Sequence, residues 1–216
     1  MSGSPPEATL PGTAPAGLVE NLARFPVLAP PVSTAGAAVV IVLREGESEV
    51  ETLLIERAEQ PSDPASGQVA FPGGHVSEGD GSLAATALRE LEEEVGLTRA
   101  DFAHDLHYVD TVLAVRFGLK VAVFATGLSP DAKTPTARSA EEVAHVFWLP
   151  RSALAGSRPI VRETMRGLIE VPATVFEGHL LWGFTRRVLC QFFGITSRDE
   201  AIGPVFVPHP TESPDG

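Results

Sequence analysis

The hydrophobic and polar positions of the chain fall into two periods. Residues 37–43 form a continuous, β-branched apolar run, the mark of a strand buried on both faces. Residues 45–48 supply a turn and residues 50–57 a second run, so the pair predicts a hairpin. A polar loop with Pro61 and Pro64 leads to a short strand at 68–71, which Pro72, Gly73 and Gly74 are expected to stop. From residue 82 to 95 the period becomes helical. Ala84, Leu88, Leu91 and Val95 share one stripe, Ser82 suits the N-cap and Gly96 the C-cap.

Strands are expected again at 106–115, 118–125 and 144–149, with a polar connector at 131–140. Residues 168–176 predict one more, which Pro172 interrupts or confines to a sheet edge. Residues 181–193 read as a closing amphipathic helix that Gly194 ends. Residues 1–17 are rich in Pro, Ala, Gly and Ser, residues 18–24 suit a short helix, and the prolines at 26, 30 and 31 favour an extended chain. The expected division is therefore a flexible leader at 1–33, a domain at 34–196 and a Pro-rich tail at 197–216. Many strands with one central and one late helix predict an α/β fold in which a mixed sheet lies between helices. A regular strand–helix alternation, as in doubly wound dinucleotide folds, is missing.

At 216 residues, with 44% of them hydrophobic, the chain can bury a substantial core. Its 28 acidic and 16 basic residues leave a net charge of −12. That balance disfavours nucleic-acid backbones and anionic membrane surfaces as partners. A phosphorylated metabolite stays available if a divalent cation stands between it and the protein. The single cysteine, Cys190, rules out an internal disulfide or a multi-cysteine zinc site and reads as a buried apolar residue. The sequence shows neither a secretory signal pattern nor an apolar run of the roughly 20 residues that span a bilayer, so a cytoplasmic location is expected.

The candidate chemistry lies on the central helix. Glu90, Glu93 and Glu94, at spacings i, i+3 and i+4, share one side of it. Like charges at these spacings repel, and the C-terminal half of a helix disfavours anions through the macrodipole. The arrangement costs stability unless a cation neutralises it. Carboxylate oxygens without thiolate or imidazole partners suit a hard divalent ion, Mg²⁺ or Mn²⁺.

The run Arg89-Glu90-Leu91-Glu92-Glu93-Glu94-Val95-Gly96-Leu97, preceded by Gly73-Gly74 and an acidic loop, resembles the Nudix box. Every helical position matches. The loop half carries about one residue more between Gly74 and Arg89, and the usual loop glutamate is replaced by Asp80 or shifted to Glu78. The resemblance implies a Nudix α/β/α sandwich that hydrolyses a nucleoside diphosphate linked to another moiety, a small-molecule substrate. It implies Glu93 and Glu94 as principal metal ligands, Glu90 as a further ligand or water-activating partner, and Arg89 as the residue that orients the glutamates. Residues 53–57 and 66–74, the longer box loop, residues 142–150 and residues 181–185 are similar to the coenzyme A pyrophosphatase branch. That implies cleavage of coenzyme A or acyl-coenzyme A to (acyl-)phosphopantetheine and adenosine 3′,5′-bisphosphate. The Arg-x-His pair usual in that branch before Gly67 is replaced by Gln60-Pro61-Ser62-Asp63-Pro64-Ala65-Ser66. ADP-ribose or another nucleoside diphosphate derivative is the alternative substrate, and a non-catalytic nucleotide-binding module the alternative role. A homodimer is an expectation from the resemblance alone.

Gly73, Gly74, His75 and Arg57 are the candidate substrate-side residues. The glycines let backbone pass close to the site. His75 is a candidate phosphate or metal contact, or a solvated loop residue. Arg57 either pairs with a carboxylate near the site or edges a strand. Glu141 and Glu142 are candidates for a general base or an exposed cap, and Trp182 for a packing wall or a base-stacking platform. Arg186 and Arg187 are candidate phosphate contacts or solvent-facing helix residues.

Overall fold

The computed structural model describes residues 17–27, 34–61, 65–164, 167–195 and 205–207. A helix, α1 (Leu18–Ala23), precedes the hairpin of β1 (Ala37–Glu45) and β2 (Val50–Arg57). Two short strands, β3 (Val69–Ala70) and β4 (Gly73–His75), lead into the helix α2 (Leu83–Val95). Next come β5 (His107–Ala114), β6 (Leu119–Gly127), β7 (Val143–Pro150), β8 (Arg158–Thr164), β9 (Gly167–Phe176) and β10 (His179–Trp182). The helix α3 (Gly183–Phe193) and the short strand β11 (Val205–Val207) complete the order.

The central sheet has seven strands with the path β3-β2-β1-β6-β5, β4 pairing β1 and β7 pairing β2. Only β1 and β6 run parallel, while the other pairs are antiparallel. The uninterrupted apolar run of β1 follows from its central place. Ala38, Val40 and Val42 face α2 through Ala87, Leu91 and Val95, while Ile41 and Leu43 face Leu18, Leu22, Val188, Leu189 and Phe192 from α1 and α3. Helices therefore cover both faces of a mixed sheet, the α/β/α sandwich expected from the sequence.

Four findings differ from the sequence expectations. The strand expected at 68–71 ends before Pro72, as β3, but Gly73 and Gly74 then open a further strand, β4, and pair with Ala38 and Val39 of β1. The second sheet, built from β8, β9, β10 and β11, was not foreseen, and β9 is its central strand although it holds Pro172. Its proline is tolerated because it faces Pro159 of β8 and falls between the stretches that pair with β10 and β11. The helix of the expected leader buries Leu18 and Leu22 in the core, and β11 of the expected tail pairs with β9. Arg186 is not solvent-facing: it is 1% exposed, with its Nε donating to the Thr174 hydroxyl at 3.2 Å. Cys190 is fully buried, as expected. Among the described residues, no helix is long and apolar enough to cross a membrane. The expected extended stretch at 28–31 and most of the leader and tail lie outside the described residues.

Candidate active site

The site forms where α2 packs over the β4–β1 pair. Ser82 Oγ accepts from Ala85 N at 3.1 Å and starts the helix, and Gly96, at φ +77°, ends it. Glu94 follows Ala87 by seven residues, so it occupies nearly the same angular position as a core residue. The helical wheel puts the glutamates on a different face from Leu88, Leu91 and Val95, but the structure places Glu94 within the buried face, 3% exposed. Its Oε2 accepts from Gly73 N at 2.9 Å. Burial pushes the Glu94 carboxyl up to about 8, and the nearby Glu90 and Glu142 charges add to that, while Gly73 N and the charge of Arg57 oppose it. A buried carboxylate of this kind gains from a neighbouring cation.

Glu90 and Glu93 are gathered by Arg89. The Arg89 Nη1 donates to Glu90 Oε1 at 2.9 Å and to Glu93 Oε2 at 3.0 Å, a protein cation standing between two carboxylates. Its other nitrogens hold the loop. Nε donates to Asp80 Oδ1 and Nη2 to Asp80 Oδ2, each at 3.0 Å, and Nη2 also reaches the His75 carbonyl at 3.0 Å. Asp80 is thus the loop acid that Arg89 holds, whereas Glu78 is exposed. The Asp80 carboxyl is held well below the usual carboxylate range, first by Arg89 and then by Ser77 N, while the Arg89 guanidinium is raised chiefly by Asp80.

Among the described residues no group of three or more His, Cys, Asp or Glu side chains is already gathered in metal-holding geometry. At this site Glu93 is 54% exposed at its side chain and paired with Arg89, while Glu94 is buried. The donor set nonetheless fits a hard divalent ion. Glu90 and Glu94 offer carboxylate oxygens beside β4, where Gly74 has no side chain to meet Glu90. A Cβ on Gly74 would lie 2.6–2.7 Å from the Glu90 carboxylate, and one on Gly73 would lie 2.3 Å from the Ala38 carbonyl. Gly73, at φ +142°, also occupies backbone space that only glycine enters without strain.

The remaining candidates separate. Arg57 is close enough to act on the Glu94 charge, at a place where the β2–β7 register shifts after Glu56 and skips Ala144. Glu142 acts on Glu94 as well and is exposed, and its carbonyl accepts from Ala58 N at 2.9 Å. The His75 side chain is exposed, and its link to the cluster is through its carbonyl. Trp182 is half-buried under the Arg162 guanidinium, 4.9 Å from the ring centre. Arg187 Nη2 donates to the Leu113 carbonyl at 2.9 Å. Sequence reasoning missed Thr86, fully buried on α2, whose hydroxyl donates to Asp80 Oδ2 at 2.9 Å. Its signal in the sequence is a threonine one residue before Ala87, near the inner face of the helix.

Comparison with known proteins identifies the family. The sequence model of the NUDIX domain matches residues 34–170. A protein of Cronobacter sakazakii described as the uncharacterized Nudix hydrolase NudL is 33% identical over 186 residues, covering 81% of this chain and 92% of its own. The protein of the same description from Yersinia enterocolitica is 37% identical over 141 residues, 64% of this chain and 70% of its own. The crystal structure of a MutT/nudix family protein from Enterococcus faecalis is similar in fold, with a TM-score of 0.51 at 16% identity over 83% of this chain and 69% of that one. The chain belongs to the Nudix hydrolase family, enzymes that cleave phosphorus anhydrides.

Proposed function

We propose that this protein hydrolyses a nucleoside diphosphate-linked metabolite with the help of Mg²⁺ or Mn²⁺, and that coenzyme A or an acyl-coenzyme A is its substrate. The observation that carries the metal-dependent reading is the buried Glu94 carboxylate beside Glu90, with Arg89 bridging Glu90 to Glu93. Nudix hydrolases use divalent metal ions. Here Glu90, Glu93 and Glu94 would hold them. Such an ion supplies charge neutralisation at phosphate oxygens and a bound water acidic enough to attack phosphorus.

The residues of the chain do the rest. Asp80 fixes Arg89, and Arg89 orders Glu90 and Glu93 before any ligand arrives. Gly74 leaves room beside the Glu90 carboxylate, and Gly73 lets β4 lie close against β1. Arg57 is placed to offset the charge on Glu94 and to attract the diphosphate. Glu142, on the loop before β7, is the candidate base that takes the proton of the attacking water. Water adds to one phosphorus, the bridging P–O bond breaks, and the departing phosphate carries the electron pair. The catalytic unit is residues 34–196, with α1 and β11 packed on it from the flanking leader and tail.

The coenzyme A assignment is supported by the resemblance at residues 53–57, 66–74, 142–150 and 181–185 and by the longer box loop. A second reading, ADP-ribose or a related diphosphate, is favoured by the loop from Gln60 to Ser66, which has neither arginine nor histidine. A panel of coenzyme A, acetyl-coenzyme A, ADP-ribose, NADH and nucleoside triphosphates, each with Mg²⁺ and with Mn²⁺, distinguishes them by product identity. Release of adenosine 3′,5′-bisphosphate from coenzyme A is the expected result. AMP from ADP-ribose, with coenzyme A untouched, would transfer the assignment to the second reading.

A further inference from the structure

We infer that Thr86 is a positioning residue of this site: its hydroxyl fixes Asp80 and, through Asp80, the guanidinium that gathers Glu90 and Glu93. The inference rests on the reading of those glutamates as metal donors. Thr86 is fully buried at the first inward turn of α2. A threonine there forms helix less readily than alanine and buries a polar atom, so the position costs stability unless its hydroxyl is bonded.

Two acceptors are in reach. The Ser82 carbonyl lies at 3.3 Å and Asp80 Oδ2 at 2.9 Å. A threonine bonding back to the carbonyl four residues earlier is the ordinary use of this side chain within a helix. One hydroxyl has one proton to donate, and the shorter contact goes to an ionised carboxylate, the stronger acceptor. The hydroxyl is therefore committed to the loop.

The consequence follows from how Asp80 is held. Its Oδ2 accepts from Ser77 N at 2.9 Å, from Thr86 and from Arg89 Nη2, and its Oδ1 from Arg89 Nε. The side chain of Asp80 is 5% exposed, so water does not substitute readily for a lost donor. The fork of donors on Arg89 matches a carboxylate only in one plane. Thr86 and Ser77 N set that plane from two sides, one from the helix and one from the loop. Arg89 Nη1 then falls between Glu90 and Glu93. Thr86 thus ties the angle of the loop acid to the same helix that carries the glutamates.

The test needs no substrate. Mn²⁺ binding is read from the resonance of the free ion during titration of the full chain, for wild type, Thr86→Val, Thr86→Ala and Thr86→Ser. Valine keeps the shape without the hydroxyl, alanine removes both, and serine keeps the hydroxyl without the methyl. The expected result is about tenfold weaker Mn²⁺ binding in the valine and alanine variants, the scale of lost support behind metal ligands, with serine close to wild type. Wild-type affinity in Thr86→Val overturns the inference. So does a Thr86→Ser variant as weak as Thr86→Val, since the methyl would then be what matters. Unfolding of both hydroxyl-free variants while Thr86→Ser folds overturns it too, because the bond would then hold the fold rather than the arginine. Failure of the wild type to bind Mn²⁺ is a separate result, and it sinks the metal reading itself.

Discussion

Glu94 accepts a hydrogen bond from the Gly73 amide at 2.9 Å, which joins α2 to β4. That single donor does not offset the burial of the carboxylate, which is pushed up to about 8 from the usual 4.5. A folded-state value above the unfolded one means the native state binds the extra proton. The stabilising effect of that proton is complete below about pH 4.5 and is lost as pH rises through 8. The metal-free protein should therefore lose stability between pH 5 and 8 through this group, by at most about 5 kcal/mol. Denaturant midpoints measured in chelator should fall over that range in wild type and stay flatter in Glu94→Gln. Parallel curves for the two proteins would contradict the account.

Metal should reverse that loss. An ion bound by the carboxylates favours their ionised form, so Mn²⁺ should raise the melting temperature more at pH 8 than at pH 6 through linkage. Thermal unfolding with and without Mn²⁺ at the two pH values checks this. An unchanged melting temperature in saturating Mn²⁺ at both would count against a metal site.

The two glycines of β4 should respond differently to alanine. At Gly74 the new Cβ meets only the Glu90 carboxylate, the end of a movable side chain. Gly74→Ala should fold and bind Mn²⁺ roughly tenfold more weakly. At Gly73 the Cβ meets the Ala38 carbonyl at 2.3 Å and the φ of +142° is strained for any other residue. Gly73→Ala should lose stability by more than about 2 kcal/mol. Chemical denaturation and Mn²⁺ titration of both variants separate the effects; equal stability in the two would refute the distinction.

Arg89 cannot be replaced by lysine on this geometry. It serves both oxygens of Asp80, the His75 carbonyl, Glu90 and Glu93, and an ammonium cannot span that fork. Arg89→Lys should lower turnover about 10- to 100-fold with the fold intact. Steady-state kinetics with circular dichroism provide the check, and near wild-type turnover would remove Arg89 from its assigned role.

Much of this could be read from the sequence, for physical reasons that also mark the limits. The run at 37–43 is apolar, as are Leu53, Leu54 and Ile55 of β2, because both faces of those strands are covered, and the caps Ser82 and Gly96 obey local backbone chemistry. The glutamates stood out because their spacing is costly without a cation. What stayed hidden depends on contacts between distant segments. Gly73 and Gly74 form a strand only because β1 offers an unpaired edge at Ala37–Val39. Pro172 is accommodated because Pro159 happens to face it. Leu18 and Leu22 belong to the core only once β1 and α3 form a surface for them. The burial of Glu94 and the tie between Thr86 and Asp80 likewise need the folded loop.

Whether the glutamates carry the reaction is decided by turnover of Glu93→Gln against wild type, on the substrate that the panel identifies and in Mn²⁺ after prior chelation. Glu93→Gln is expected to lose about two orders of magnitude of turnover or more with an unchanged far-ultraviolet spectrum. Near-normal hydrolysis by that variant would contradict it.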